Sequence, residues 1–175
     1  MKRNFTDLKV NCSFFTRLIS LTLMLAFITP VMTNAQAGKT NFSGTWALNA
    51  EKSTMRQGGG RRMGGGNFVA KQEANLLTVD RTRTNQDGES VTMTSKYTLD
   101  GKESVNTAGR GESKSTAKWS ADGKTLTIVT KASFNGNEFT STESWVLSDT
   151  KTLTVTSTRP SQDGEVTVKM VYDKK

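Results

Sequence analysis

The sequence predicts an all-β fold, an antiparallel up-and-down meander of eight to ten strands that closes into a β-barrel. From Phe68 onward, short runs that alternate apolar residues with Thr, Ser or Lys are separated by turn signals, most often Asp-Gly or Asn-Gly. These dipeptides favour hairpin turns because the central turn residues adopt positive φ. Successive turn centres lie about 9 to 15 residues apart, which leaves room for strands and none for a crossover helix.

Ten segments have the alternation and the Val, Thr and Ser content of half-exposed strands. No segment has the periodicity of a helix that could cover an open sheet. Closure into a barrel is therefore favoured, since it hides the apolar face and removes the edge strands. In chain order, the predicted strands are Gly44–Leu48, Phe68–Glu73, Leu76–Thr84, Ser90–Leu99, Glu103–Thr107, Ser113–Trp119, Thr125–Phe134, Phe139–Leu147, Thr152–Arg159 and Val166–Tyr172.

The first 37 residues have the layout of a secretory signal peptide. Four basic residues precede an apolar run at positions 18–28, and small residues flank a cleavage site after Ala37, or after Ala35. This run of 11 residues is too short to cross a membrane, which takes about 20. We therefore expect residues 1–37 to be a signal peptide. Residues 38–175 are then a single secreted or periplasmic domain, with no stable membrane insertion after cleavage.

The composition excludes several kinds of chemistry. The 175-residue chain has no His, and its one Cys, Cys12, leaves with the predicted signal peptide. A His-dependent catalytic triad, a thiol nucleophile, a disulfide framework and His-ligated zinc are therefore excluded. The formal net charge of +8 falls to about +5 once the four basic residues and Asp7 are removed, which is too little to indicate nucleic-acid binding. We expect no enzyme activity, no cofactor, no metal, no nucleic-acid partner, and a monomer.

Aspartates at the turns have a structural explanation. Asp100, Asp122 and Asp149 lie where an Asp side chain accepts hydrogen bonds from the turn backbone. They are not spaced as a calcium-binding loop. We expect these carboxylates to shape turns.

The alternation also separates two faces of the strands. One face is mostly Thr, Ser and Lys, unlike the apolar outer band of an outer-membrane barrel. The other face combines large apolar residues with a few polar ones, which fits a ligand cavity. Arg81 and Arg83 either meet an anionic ligand head group or lie near a strand end where the barrel opens to water. The cavity candidates are Arg81, Arg83, Met93, Tyr97, Ile128, Phe134, Phe139, Glu143, Trp145 and Met170.

Two stretches carry a family resemblance. Gly44-Thr45-Trp46 places a Gly-x-Trp on the first strand, and the stretch Tyr97-Thr98-Leu99-Asp100-Gly101-Lys102-Glu103 precedes the fifth. Together with the meander, this pattern resembles lipocalins and the wider calycin group, including the ten-strand fatty-acid-binding proteins. The chain is also similar to small secreted lipocalin-like proteins of the Bacteroidetes type. The resemblance implies that Trp46 plugs the closed end of the barrel.

The chain departs from the fatty-acid-binding pattern at two places. A Gly/Arg-rich loop at residues 56–66 occupies the interval where that family carries a helical lid, and its six glycines disfavour a helix. The family's Arg-x-Tyr carboxylate clamp is missing, because Met170 stands two residues before Tyr172. The loop arginines, Arg56, Arg61 and Arg62, could bind anions, keep a surface loop soluble, or belong to a gate over the barrel mouth.

Two functional hypotheses follow from these patterns. In the first, the protein is a secreted or periplasmic lipocalin-like barrel that binds a small apolar or amphipathic ligand. In the second, it is a non-catalytic extracytoplasmic interaction or structural module whose barrel interior is filled. Ligand binding distinguishes the two, since a filled barrel has no space for a small molecule.

Overall fold

A computed structural model describes residues 38–54, 66–84, 87–107, 111–134, 136–161 and 164–175, with the side chain of Phe134 left out. The predicted signal peptide and residues 56–65 of the Gly/Arg-rich loop lie outside these residues, so both remain predictions. The described chain forms ten strands: β1 Gly44–Thr54, β2 Phe68–Gln72, β3 Leu76–Thr84, β4 Ser90–Thr98, β5 Glu103–Thr107, β6 Glu112–Trp119, β7 Thr125–Phe134, β8 Asn137–Asp149, β9 Thr152–Ser161 and β10 Gly164–Lys174.

The ten strands form one antiparallel sheet in the order β4-β3-β2-β1-β10-β9-β8-β7-β6-β5. Apart from β4 and β5, consecutive strands are neighbours in the sheet, and β1 pairs with β10 to bring the first and last strands of the chain together. β4 and β5, the strands at the two ends of this order, pack side by side without forming a ladder. The all-β antiparallel prediction is therefore confirmed, with a barrel that is nearly closed.

Observed strand ends lie within two residues of the predicted ones except at the end of β1, which extends six residues further. The extension follows a bulge, where the register between β1 and β10 shifts between Asn49 and Thr54. Within the bulge, Ser53 Oγ accepts a hydrogen bond from the Val171 N–H at 2.9 Å and donates one to the Asn49 carbonyl at 2.6 Å. The polar run after Asn49 has no alternation, so its sequence did not reveal the continuing strand.

One end of the barrel is filled by aromatic side chains, and we call it the filled end. Trp46 and Phe42 are fully buried there, and the Trp46 indole N–H donates to the Phe42 carbonyl at 2.9 Å. The Phe42 ring stacks on Trp119 and meets Trp145 edge-on, each at a centroid distance of 5.7 Å. Burying these rings removes a large apolar area from water. Trp46 is thus buried at this end, and the plug role that the resemblance implies stays a prediction.

Hydrogen bonds from β2 and from the β6–β7 turn hold the segment before β1 across the filled end. Gln72 donates from Nε2 to the Thr40 carbonyl and accepts at Oε1 from the Phe42 N–H, both at 2.9 Å. The Thr40 N–H donates to the Gly123 carbonyl of the β6–β7 turn at 2.9 Å. These bonds satisfy the backbone of a segment that has no strand partner of its own.

The turn aspartates accept backbone hydrogen bonds, as the sequence predicts. Asp100, Asp122 and Asp149 each accept from the N–H two residues later, at 2.7 to 3.1 Å. These bonds favour the ionised carboxylate, so the pKa of each of the three side chains lies below its ordinary value. The pKa of Asp100 is about 2. At Asp122, the hydrogen bond from the Ser120 hydroxyl lowers the pKa most.

In the described part of the chain, no helix has the length and apolarity needed to cross a membrane.

Candidate functional site

The interior changes from apolar to polar along the barrel axis. On the inward face of β3, Leu77 and Val79 are fully buried, and Arg81 and Arg83 follow at the next two inward positions. On β8, the fully buried Trp145 comes after Glu143 in the direction of the filled end. Both strands therefore place charge on the side of the interior that lies away from the filled end.

Arg81 and Glu143 meet across the interior of the barrel. Their strands, β3 and β8, lie five places apart in the ten-strand order, so they form opposite walls. Arg81 Nη2 lies 4.0 Å from Glu143 Oε2, and the two side chains are only 25% and 28% exposed. Both charges have lost part of their solvation by water, so the stability of the ion pair depends on the protein groups around it.

Each member of the ion pair contacts an aromatic side chain. The guanidinium carbon of Arg81 lies 5.3 Å from the centroid of the Phe68 ring, within cation–π range. Glu143 Oε2 accepts a hydrogen bond from the Trp145 indole N–H at 3.0 Å. The indole thereby fixes the orientation of the carboxylate that faces Arg81.

Two buried tyrosines complete the polar group. Burial raises the pKa of Tyr97; the charge of Glu143 raises it further, while the charge of Arg81 and hydrogen bonds from Ser95 and Arg81 lower it. Burial also raises the pKa of Tyr172 to about 12, with Arg81 opposing and Glu143 adding to the shift. Both hydroxyls therefore stay protonated at neutral pH. We call Arg81, Tyr97, Glu143, Trp145 and Tyr172 the lumen cluster.

Arg81 retains hydrogen-bonding capacity that the described residues do not use. Its Nε is buried, and it has no hydrogen-bond partner among the residues that the structure describes. A guanidinium has five N–H donors in a planar fork, so a buried Nε without an acceptor is energetically costly. A bound molecule with an acceptor atom would satisfy this donor.

The predicted cavity residues occupy three environments. Arg81 and Glu143 come together, as described, while Arg83 is exposed near the end of β3 and lies outside the lumen cluster. Phe139 is 45% exposed on β8, and the Phe134 side chain falls outside the described atoms. Met93 is half-buried beside Arg81 in the β3–β4 register. The buried members are Tyr97, Ile128, Trp145 and Met170.

Sequence reasoning missed three residues that contribute to the site. Tyr172 is fully buried on β10, and its hydroxyl donates to Met170 Sδ at 3.4 Å. Phe68 and Ser95 contact the lumen cluster through Arg81 and Tyr97. All three lie on the inward face by strand alternation, which is the signal that could have included them.

Comparisons with known proteins show the fold of the chain but do not assign it to a family. No protein-family profile matches the chain, and no curated protein matches it. Among solved structures, the chain is similar to the zebrafish ileal bile acid-binding protein, determined in complex with cholic acid. The TM-score is 0.52 at 18% sequence identity, and the match covers 77% of this chain and 98% of that one. The likeness shows the fold alone, a barrel like that of the bile acid-binding protein.

Proposed function

We propose that this protein binds a small apolar or amphipathic molecule inside its barrel, as a secreted or periplasmic lipocalin-like protein. The lumen cluster is the observation that carries the proposal. It places an ion pair, two tyrosine hydroxyls and an indole N–H inside a barrel whose other end is lined by packed aromatic rings. Binding sites for small molecules combine an apolar lining with a few convergent polar groups in this way.

The solved structure that resembles this chain supports the same class of ligand. The zebrafish protein binds bile acid, and its structure contains cholic acid. The chain has the same near-closed ten-strand architecture, so its interior has a precedent for holding an amphipathic molecule. The polar groups that would contact such a molecule here come from β3, β4, β8 and β10.

In this proposal the protein binds its ligand outside the cytoplasm. The predicted signal peptide at residues 1–37 supports export. Expression of the full chain with a C-terminal tag, followed by fractionation and N-terminal sequencing, tests this: a mature chain beginning at Gly38 or Gln36 is expected, and an uncleaved cytoplasmic chain contradicts it.

Ligand binding is tested on the exported protein purified from its host. Native mass spectrometry followed by organic extraction is expected to release a small molecule. Replacement of the lumen arginine, Arg81→Gln, is expected to reduce the bound fraction. The matched control is Arg83→Gln, which removes the same charge from an exposed position on the same strand.

The outcome separates the two functional hypotheses. A protein that carries no molecule and binds no amphipathic probe in titration would contradict the ligand-binding proposal and favour the filled-barrel interaction module. Equal loss of binding in Arg81→Gln and Arg83→Gln would instead show that overall charge, and not the lumen cluster, attracts the ligand.

A further inference from the structure

We infer that Glu143 sets the head-group specificity of the barrel, so that it prefers an uncharged polar head group, such as a hydroxyl, over a carboxylate. The inference rests on the proposed ligand-binding function and makes it more specific. It names a specificity-determining residue on β8 and the chemical class of molecule that the residue admits.

The first step of the argument is the charge of the lumen cluster. Glu143 lies 4.0 Å from Arg81 and neutralises the positive charge that would otherwise attract an anion. The two tyrosines are neutral at physiological pH, since the ordinary pKa of a tyrosine is 10.0 and burial raises the pKa of both further. The cluster therefore presents no net charge to a ligand, and a carboxylate placed near Arg81 would also lie near the Glu143 carboxylate.

The second step is the hydrogen-bonding character of the cluster. Arg81 can only donate, and its buried Nε has no acceptor among the described residues. Glu143 can only accept, and it already accepts from the Trp145 indole N–H at 3.0 Å. A hydroxyl accepts and donates at once, so it can satisfy Arg81 and Glu143 together. A carboxylate can satisfy only Arg81, and it would face an acceptor of like charge.

The third step concerns the other charges on the inward face. Arg83 lies one inward position further from the filled end than Arg81 on β3, and Arg159 lies one inward position further than Ser157 on β9. Ser157 is the register partner of Glu143. Both arginines are present in wild type and in Glu143→Gln, so the two proteins differ only at position 143. A comparison of these two variants therefore isolates the effect of the Glu143 charge.

The test compares decanol with decanoate, two probes that share an apolar chain and differ in the head group. Displacement of a fluorescent apolar probe from the exported protein gives both affinities at neutral pH. Wild type is expected to bind decanol more tightly, and Glu143→Gln is expected to shift the ratio toward decanoate by at least about tenfold, since one like charge beside the guanidinium is removed. Glu143→Asp keeps the charge and is expected to keep the wild-type preference.

The matched control is Glu138→Gln, which removes the same charge from an exposed position on β8 and should leave the ratio unchanged. A wild type that prefers decanoate, or a Glu143→Gln protein with an unaltered ratio, overturns the inference and leaves the proposed function standing. A wild type that binds the fluorescent apolar probe but neither decanol nor decanoate overturns the inference alone, and a wild type that binds none of the three contradicts both. If Glu143→Gln does not fold, as judged by circular dichroism, the wild-type ratio still decides, because tighter binding of decanoate than of decanol overturns the inference.

Discussion

The side chain of Asn106 hydrogen-bonds both backbone groups of Lys96. Asn106 Oδ1 accepts from the Lys96 N–H at 2.6 Å, and Asn106 Nδ2 donates to the Lys96 carbonyl at 3.0 Å. Two positions along, the Ser104 hydroxyl accepts from the Thr98 N–H at 2.8 Å. Side chains of β5 thus occupy the place of a backbone ladder where β4 and β5 lie side by side, and we call this region the β4–β5 seam.

Replacement of Asn106 should weaken the seam. Asn106 is only 8% exposed, so Asn106→Leu would leave a backbone donor and an acceptor of Lys96 without partners. We expect a loss of roughly 1–3 kcal/mol in the free energy of unfolding, measured by urea denaturation, because unsatisfied buried polar groups are costly. Amide exchange at Lys96 should accelerate, since that N–H loses its acceptor.

The neighbouring residue provides the control for this change. Val105 is 54% exposed on the same strand, and Val105→Ala should change stability by no more than about 0.5 kcal/mol. If Asn106→Leu behaves like Val105→Ala, the Asn106 carboxamide does not hold β4 against β5.

Much of the fold could be predicted because Asp-Gly and Asn-Gly dipeptides mark the turns in the sequence. Asp122-Gly123 marks the β6–β7 hairpin and Asp100-Gly101 marks the turn between β4 and β5, and both glycines have positive φ, at 69° and 82°. Between such turns, alternation determines which side chains face inward. Trp145 and Ile128 could therefore be assigned to the interior from sequence alone, and both are buried.

The arrangement of the candidate site could not be predicted in the same way. Arg81 and Glu143 are 62 positions apart in the chain, and they meet only because β3 and β8 form opposite walls of the barrel. Their contact depends on strand order and on the level of each residue along the axis, neither of which local alternation contains. The hydrogen bonds of the β4–β5 seam could not be predicted for a related reason. The sequence around Asn106 indicates a strand residue, but it does not indicate which strand lies beside β5.

Truncation of Trp46 should destabilise the barrel strongly. The side chain is fully buried, and its indole N–H donates to the Phe42 carbonyl. Trp46→Ala should lower the free energy of unfolding by roughly 3–5 kcal/mol, through lost burial and the cavity that remains. Trp46→Phe should cost less, because it keeps an aromatic ring and loses only the hydrogen bond and part of the volume.

Chemical denaturation measures both Trp46 variants against Thr45→Ala, an exposed neighbour on β1. Thr45→Ala should stay within about 0.5 kcal/mol of wild type. Unchanged stability in Trp46→Ala would show that this residue does not contribute to the packing of the filled end.

The two tyrosines should make the fold sensitive to high pH. Burial raises the pKa of Tyr97, and it raises that of Tyr172 from 10.0 to about 12. An unfolded chain ionises its tyrosines at lower pH than the folded one, so their contribution to stability is complete below pH 10.0 and is lost as pH rises through the folded pKa values. The chain contains no other tyrosines, so tyrosinate absorbance reports on these two side chains alone.

We expect native protein to show little tyrosinate absorbance at a pH where denatured protein is half ionised. Tyr172→Phe should remove part of the alkaline loss of stability, and Tyr97→Phe another part. Native tyrosines that ionise together with those of the denatured chain would contradict the burial of both hydroxyls.

A side chain at position 123 should destabilise the protein, because the segment before β1 passes directly over Gly123. A Cβ at this position would lie 2.6 Å from the Gly38 carbonyl oxygen, and Gly123 also has φ at +69°. Gly123→Ala therefore combines a conformational cost with a steric clash against backbone. Gly88 offers a matched control, since it has φ at +82° and a Cβ there would meet nothing within 4 Å.

We expect Gly88→Ala to destabilise the protein by about 1–2 kcal/mol, the cost of a left-handed conformation for a residue with a Cβ. Gly123→Ala should cost roughly 1–3 kcal/mol more, because the clash forces residues 38–40 away from the β6–β7 turn. Urea denaturation gives the difference, and amide exchange at Thr40, whose N–H donates to the Gly123 carbonyl, shows where the structure loosens. Equal losses in the two variants would mean that the segment before β1 does not press on this turn.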